Sequence, residues 1–132
     1  MRQLCIVWML LLLLAAGCGK QQGNRMEKEF SVCSEEQIPK EIQEMIEEKK
    51  EMPFQFTYSL QEYMYIIVGY GVQKGGGYSI EVLEFSEDNE NIYVDTNLLG
   101  NDQEKETVGK TYPYIVLKCI KPEKNVIFLA YK

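Results

Sequence analysis

The chain has 132 residues, with 14 basic and 20 acidic side chains, no histidine and a formal net charge of −6. This length suits one compact domain, and the acidic balance excludes nucleic-acid binding, which requires clustered Lys and Arg to neutralise phosphates. Without histidine the chain lacks the commonest general base and metal ligand, so we expect no catalytic site, no metal and no cofactor.

The N-terminus has the pattern of an export signal. Arg2 precedes an apolar run from Leu4 to Ala16, which is shorter than the roughly 20 residues of a membrane-spanning helix and typical of a secretory signal. The next residues, LAAGC, resemble a bacterial lipobox, in which a peptidase cuts before the cysteine. We therefore predict a lipoprotein signal at residues 1–17 and a lipid on Cys18 that anchors the protein to the cell membrane, facing outside the cytoplasm. The alternative is an ordinary secretory signal with Cys18 unmodified.

A polar, glycine-containing stretch follows the predicted lipid site. Residues 18–28 have no apolar periodicity and are predicted to form a flexible tether, with the folded domain at residues 29–132. This domain contains two cysteines, Cys33 and Cys119. Outside the cytoplasm they could form a disulfide if their Cα atoms lie within about 7 Å. The alternative is two separate buried thiols that pack as small apolar residues.

The predicted elements begin with a short strand at Glu29–Cys33, followed by the single helical stretch SEEQIPKEIQEMIEEKKEM. Pro39 suits the first helical turn, where its missing N–H has no intrahelical partner. Ile42, Met45 and Ile46 recur at i, i+3 and i+4 and form one apolar stripe, while the intervening glutamates face water. The pattern predicts an amphipathic helix that packs on a sheet.

From Phe54 onward the patterns are those of β-strands. FQFTYSL alternates apolar and polar residues, whereas YMYIIVGY is apolar at nearly every position and predicts a central strand buried on both faces. YSIEV alternates again, and its phase breaks at Leu83, which predicts either a bulge or the end of the strand. SEDNEN predicts a turn, and further strands are predicted at IYVDT, YIVLKCI and VIFLAY. The sequence thus predicts an α+β, mainly β fold: a small antiparallel sandwich or half-barrel of six or seven strands with one N-terminal amphipathic helix.

Three consecutive glycines, Gly75 to Gly77, raise the question of a phosphate loop. Phosphate-binding glycine loops lead into a helix. These glycines lead into a predicted strand instead, and the nearby lysine, Lys74, precedes them rather than following them. The glycines instead predict a tight connection between two core strands that needs positive φ angles. We therefore expect valine at Gly76 to disrupt folding.

Two motifs resemble the PrcB C-terminal-like family. Its members carry a glycine, a short polar segment and a Gly-Gly-Tyr-like motif that opens a strand, and later a Pro-aromatic element before another strand. The residues that match are Gly71, Lys74, Gly76, Gly77, Tyr78 and Ile80 in the first motif, and Pro113 and Tyr114 in the second. The resemblance extends over roughly residues 30–128, but Gly75 replaces the family's threonine, so no role for that hydroxyl is expected.

The family takes its name from a lipoprotein subunit that assists and stabilises a subtilisin-like protease in a surface complex. The resemblance implies a non-catalytic accessory domain outside the cell membrane, with a protein partner such as a secreted protease and the motif residues as candidate contacts. One alternative is a carrier or sensor that binds a small ligand in a pocket beside the glycine loop. The least favoured alternative is an enzyme that uses carboxylates alone.

Overall fold

The computed structural model describes residues 25–100 and 109–129. Of these residues 55% lie in strands and 13% in helices, which confirms the prediction of a mainly β, α+β fold. Helix α1 spans Lys40–Lys49 after a short 3-10 turn at Glu35–Gln37. The strands are β1 Met26–Glu27, β2 Ser31–Val32, β3 Pro53–Leu60, β4 Tyr63–Tyr70, β5 Gln73–Lys74, β6 Ser79–Glu87, β7 Asn91–Leu99, β8 Lys110–Thr111, β9 Tyr114–Ile120 and β10 Asn125–Phe128.

These strands form two four-stranded sheets and one two-stranded ribbon. The first sheet has the order β2-β9-β4-β3, the second has the order β1-β6-β7-β10, and the ribbon pairs β5 with β8. The sheets are not closed into a barrel, so the sandwich is the correct form of the prediction.

One pairing differs from the antiparallel arrangement that the sequence predicts. Strand β10 runs parallel to β7, with Asn125 opposite Asn91. The turn after β9 carries the chain from the first sheet to the second instead of closing a hairpin. A tight hairpin can join only antiparallel neighbours, whereas a strand that changes sheet can enter in either direction.

Strand β4 lies at the centre of the molecule and is buried on both faces, as predicted. Its two edges pair with β3 and β9. Met64, Ile66 and Val68 pack between the two sheets, whereas Tyr65 and Ile67 pack under the helix. The protein therefore has three layers, helix, first sheet and second sheet, with two apolar cores that share β4.

Helix α1 covers the first sheet through the stripe that the sequence predicts. Ile42 and Ile46 are buried against Tyr65, Ile67 and Val116. Pro39 is the N-terminal cap of this helix, one residue earlier than predicted. The glutamates on the opposite face are exposed.

The predicted bulge and turn both lie in the second sheet. The register of β6 against β7 shifts between Val82 and Glu84, Leu83 is 55% exposed, and β6 continues to Glu87. Of the two alternatives at Leu83, the bulge is therefore correct and the end of the strand is wrong. In the following turn, Asp88 Oδ1 accepts hydrogen bonds from the backbone N–H of Glu90 at 2.8 Å and of Asn91 at 2.7 Å. Its Oδ2 accepts one from the Tyr93 hydroxyl at 2.6 Å. These bonds close the turn and lower the pKa of Asp88, the Tyr93 bond most.

The start of the packed chain differs from the predicted boundary at residue 29. Met26 and Glu27 form β1 and pair with β6, and Lys28 forms an ion pair with Glu87 at 2.8 Å. The strand predicted at residues 29–33 is reduced to Ser31–Val32. Residues 25–28, predicted as the end of the tether, therefore belong to the sandwich.

The two cysteines of the domain are free thiols, so of the two alternatives that the sequence leaves open the structure has no disulfide. The N–H of Cys33 donates to the carbonyl of Val116 at 2.9 Å, which places Cys33 three residues along β9 from Cys119. That offset is roughly 10 Å along a strand and exceeds the reach of a disulfide. In addition, Cys33 packs on the helix side of the sheet and Cys119 packs between the sheets. The alternative of two separate thiols is correct.

The predicted signal at residues 1–17 and the lipidation site Cys18 lie outside the described residues. Within the described part of the chain, no helix has the length and apolar character needed to cross a membrane.

Candidate partner-binding site

The glycine-containing segment connects the two sheets. It leaves β4 in the first sheet at Tyr70 and enters β6 in the second sheet at Ser79. Gly71 makes the first bend, with φ +74°. A Cβ added there would lie 2.9 Å from Pro53 Cδ and 3.0 Å from the Pro53 nitrogen. Gly71 is therefore required both for its left-handed backbone and for the close approach of Pro53.

The middle of this connection pairs with a segment distant in sequence. Gln73 and Lys74 of β5 lie opposite Thr111 and Lys110 of β8. The N–H of Gly75 donates to the Gly109 carbonyl at 3.0 Å, and the Thr111 hydroxyl donates to the Gly75 carbonyl at 2.7 Å. The connection is thus a hydrogen-bonded ribbon between sheets, rather than the simple strand-to-strand turn that the sequence predicts.

The three glycines are not equivalent. Gly75 has φ +75° and Gly77 has φ +84°, so both occupy the left-handed region that favours glycine. Gly76 is not among the positive-φ residues, and the nearest described atom to an added Cβ is Thr111 Cγ2 at 3.9 Å. The conformational requirement predicted for Gly76 therefore lies at its two neighbours.

Tyr78 closes the glycine loop. Its hydroxyl donates to the Lys74 carbonyl at 3.0 Å, across the three glycines. The next residue begins β6, and Ile80 packs against the core between the sheets. The loop conformation is thus held at both ends by the first motif itself.

The second motif lies beside the first. The N–H of Tyr70 donates to the Pro113 carbonyl at 3.0 Å, which holds the start of β9 against the end of β4. A shallow cavity of about 220 Å³ lies between the motifs, lined by Tyr78, Ser79, Ile80, Pro113, Tyr114 and Ile115. We call these six residues the motif surface. Two motifs more than 30 residues apart in sequence therefore meet at one place.

Residues 64–119 match the PrcB C-terminal family. This confirms the resemblance read from the motifs, over a narrower range than predicted. The matched range runs from β4 to β9 and includes every motif residue together with the whole glycine ribbon. No curated protein and no solved structure matches the chain.

The described residues include no group of three or more His, Cys, Asp or Glu side chains placed to hold a metal ion.

Two lysines lie side by side near the PrcB motifs. Lys74 and Lys110 are directly opposite each other in the β5–β8 ribbon, and both are exposed. Opposite residues of an antiparallel pair point to the same face with Cβ atoms about 5 Å apart, so two like charges there are unfavourable. Neither ammonium group has an ion-pair partner among the described residues. This arrangement creates a local excess of positive charge on an acidic protein.

A second cavity, of about 570 Å³, lies between helix α1 and residues 111–114. We call it the groove beside α1. It is lined by Glu35, Glu36, Gln43, Ile46, Glu47, Lys50, Thr111, Tyr112 and Tyr114. Lys50 Nζ lies 4.7 Å from the centre of the Tyr112 ring, a cation–π contact. Burial raises the pKa of the Tyr114 hydroxyl, and Glu35 and Glu47 raise it further. Tyr114 is therefore a neutral phenol at physiological pH, between the motif surface and this groove.

The structure brings together part of the predicted set. Tyr78, Ile80, Pro113 and Tyr114 line one cavity, while Gly71, Gly76 and Gly77 shape the connection and Lys74 points to solvent from the ribbon. Sequence reasoning missed Lys110 and Thr111, which lie between the strands predicted at IYVDT and YIVLKCI. No local signal marks them, because a two-residue strand has no periodicity and its partner lies 36 residues away.

Proposed function

We propose that this protein is a non-catalytic, lipid-anchored accessory subunit that binds a partner protein outside the cytoplasmic membrane. The partner class implied by the PrcB resemblance is a secreted, subtilisin-like protease, which the subunit would assemble or stabilise. The observation that carries the proposal is the meeting of both family motifs at the motif surface.

The chemistry of this region supports a protein partner. Tyr78 and Tyr114 are half-buried, and tyrosine is a residue that interfaces favour because it combines an apolar ring with a polar end. The cavity between the motifs, about 220 Å³, is smaller than the roughly 300–1,000 Å³ typical of ligand pockets. It is large enough for one apolar side chain of a partner, while Lys74 and Lys110 offer two cations to a nearby partner carboxylate.

The two lysines allow a test that spares the fold. Lys74→Glu and Lys110→Glu, made together, replace exposed cations whose proximity is unfavourable. Lys40→Glu is the matched control, since Lys40 is also exposed but lies in the first turn of α1. Wild-type and variant proteins would be crosslinked in membranes of their own cells and the recovered proteins identified.

We expect the wild-type and Lys40→Glu proteins to recover the same partner and the double variant to lose it. Recovery of the partner by the double variant at wild-type level would contradict a role for the lysines. If the wild-type protein recovered only itself with several crosslinkers, the accessory role would be refuted.

The groove beside α1 favours a second candidate function, the binding of a small ligand. Its volume of about 570 Å³ lies within the range typical of ligand sites. Three glutamates against one lysine favour a neutral or cationic ligand. Thermal-shift screening would detect a specific ligand as a rise in melting temperature, and Glu36→Gln would weaken that rise whereas Lys74→Glu would not.

A further inference from the structure

Strand β3 is a long, open edge of the first sheet. Within the described residues, the sheet order places β3 at one end, next to β4 alone, and β3 has eight residues. The opposite edge of this sheet, β2, has two residues, and the edges of the second sheet, β1 and β10, have two and four. Proteins usually keep edge strands short because an open edge pairs readily with another chain.

The backbone hydrogen bonds show which groups of β3 face outward. Tyr70 donates to Pro113, and Lys121 donates to the carbonyl of Glu62, so even-numbered residues at both ends of β4 bond toward β9. Since bonding alternates along an antiparallel strand, the odd-numbered residues of β4 bond toward β3. Their partners are Phe54, Phe56, Tyr58 and Leu60. The N–H and C=O groups of Gln55, Thr57 and Ser59 therefore point away from the sheet.

The side chains of β3 do not protect this edge. No charged residue occurs between Pro53 and Leu60, although lysine or an inward-pointing charge is the usual protection. The helix contacts β3 as well as β4 and β9. Phe54, Phe56 and Tyr58 pack against the apolar cluster under the helix and remain half-buried. A strand added next to β3 would cover these aromatic rings on one face.

The two ends of the edge carry like charges. Glu51 precedes β3 and Glu62 follows it in the turn to β4, and both are exposed. Neither carboxylate has an ion-pair partner among the described residues. The edge therefore has an uncharged middle of eight residues with one unpaired carboxylate near each end, and Lys50, which forms its ion pair with Glu47, lies close to Glu51 at the first end.

We propose that β3 binds an extended segment of a partner protein, which adds to the first sheet as a further strand. The segment has alternating apolar and polar residues, so that its apolar side chains cover Phe54, Phe56 and Tyr58, and it has Lys or Arg at both ends to meet Glu51 and Glu62. Backbone hydrogen bonds to Thr57 and its two outward-facing neighbours provide the affinity, as in other cases of strand addition.

This surface is separate from the motif surface and does not depend on it. Strand β3 lies outside the matched range 64–119, and a peptide can be tested on the isolated protein. A negative result with the lysine variants would therefore leave the β3 proposal standing, and a negative peptide assay would leave the proposed function standing.

The test uses a synthetic peptide with a Thr-Val-Thr-Tyr-Thr-Val middle and two lysines at each end, followed by amide NMR of the protein. Thr57→Pro removes one outward N–H and no bond to β4, and proline is tolerated at such edge positions. Thr57→Val is the matched control because it keeps the N–H. Circular dichroism and the melting temperature would establish that both variants fold.

We expect the peptide to shift the amide resonances of Gln55, Thr57 and Ser59 in the wild-type protein. Thr57→Pro should weaken the dissociation constant about tenfold or more, since bound hydrogen bonds are lost, and Thr57→Val should leave it within about twofold. A peptide with glutamates at both ends should bind more weakly than the lysine peptide, and the variant with Glu51→Lys and Glu62→Lys should reverse this preference.

The proposal would be overturned if about 1 mM lysine peptide, a concentration that detects weak complexes, left the β3 amides unchanged. It would also be overturned if Thr57→Pro bound like the wild-type protein while folded. If the protein alone formed a dimer in sedimentation that Thr57→Pro made monomeric, the occupant of the edge would be a second copy instead.

Discussion

Gly69 is the position where the packing of the central strand leaves least room. It lies on β4 opposite Phe54 of β3. An ideal Cβ built on Gly69 would be 2.0 Å from Phe54 Cε1, 2.5 Å from Cζ and 2.6 Å from Cδ1. All three distances are below those that real Cβ atoms adopt. The Phe54 ring therefore lies directly on the glycine, and Gly69→Ala requires that ring to move.

The cost can be worked from two opposing terms. Overpacking a well-packed site costs about 1–3 kcal/mol, and Gly→Ala in a strand recovers about 0.5–1 kcal/mol of backbone entropy. We therefore expect Gly69→Ala to lower the free energy of unfolding by about 1–2 kcal/mol. In a Phe54→Ala background the ring is absent, so the same glycine substitution should be neutral or stabilising by up to about 1 kcal/mol.

The assay is urea unfolding of the four proteins of this double-mutant cycle, followed by far-UV circular dichroism at constant m-value. The expected coupling between the two positions is about 2 kcal/mol. Additive effects, within about 0.5 kcal/mol, would refute the reasoning, because they would mean that the ring and the added methyl group do not compete for the same space.

Three further predictions concern the cysteines, the ion pairs of Glu87 and the lipid anchor. Burial raises the pKa of the Cys33 and Cys119 thiols, so their contribution to the unfolding free energy should be constant below about pH 8.5 and fall as pH rises toward the raised values. Cys33→Ala with Cys119→Val should flatten this alkaline slope, and mass spectrometry without reductant should find two free thiols. Hydrogen bonds from Lys28 and then from Lys124 lower the pKa of Glu87, so its contribution is present above about pH 4.3 and is lost as pH falls through the lowered value; because the carboxylate is partly exposed, Glu87→Gln should cost no more than about 1 kcal/mol, and less at high salt, and a cost unaffected by salt would contradict an electrostatic origin. Cys18→Ser should abolish incorporation of labelled fatty acid and release the protein from the membrane fraction, and membrane retention with no label in the wild-type protein would contradict lipidation.

The glycine segment shows what the local sequence pattern can predict and what it cannot. The strand pattern after Gly77 excludes a phosphate loop, since a phosphate loop must open a helix. The motif residues led to the PrcB C-terminal family, and the match over residues 64–119 agrees. What local pattern could not predict is the partner of the segment, because Lys110 and Thr111 pair with it only through the tertiary fold. The positive φ angles at Gly75 and Gly77, rather than at Gly76, could not be predicted either, because they also depend on how this segment is placed in the tertiary fold.

The sequence by itself determined the elements whose signals are local. The apolar stripe of α1, the two-sided burial of β4, the bulge at Leu83 and the turn at Asp88 all follow from periodicity or from one side chain bonding its own neighbours. Such signals need no knowledge of the rest of the chain, because 3.6- and two-residue periods are set by backbone geometry.

Only the tertiary structure decided how the strands are distributed between two sheets. That distribution makes β10 parallel to β7, places Cys33 and Cys119 in different cores, brings the two motifs together and leaves β3 as an open edge. Alternation tells which face of a strand is buried but not which strand lies beside it, because pairing depends on contacts between residues far apart in the chain. The motif surface and the open edge of β3 both arise from those long-range pairings.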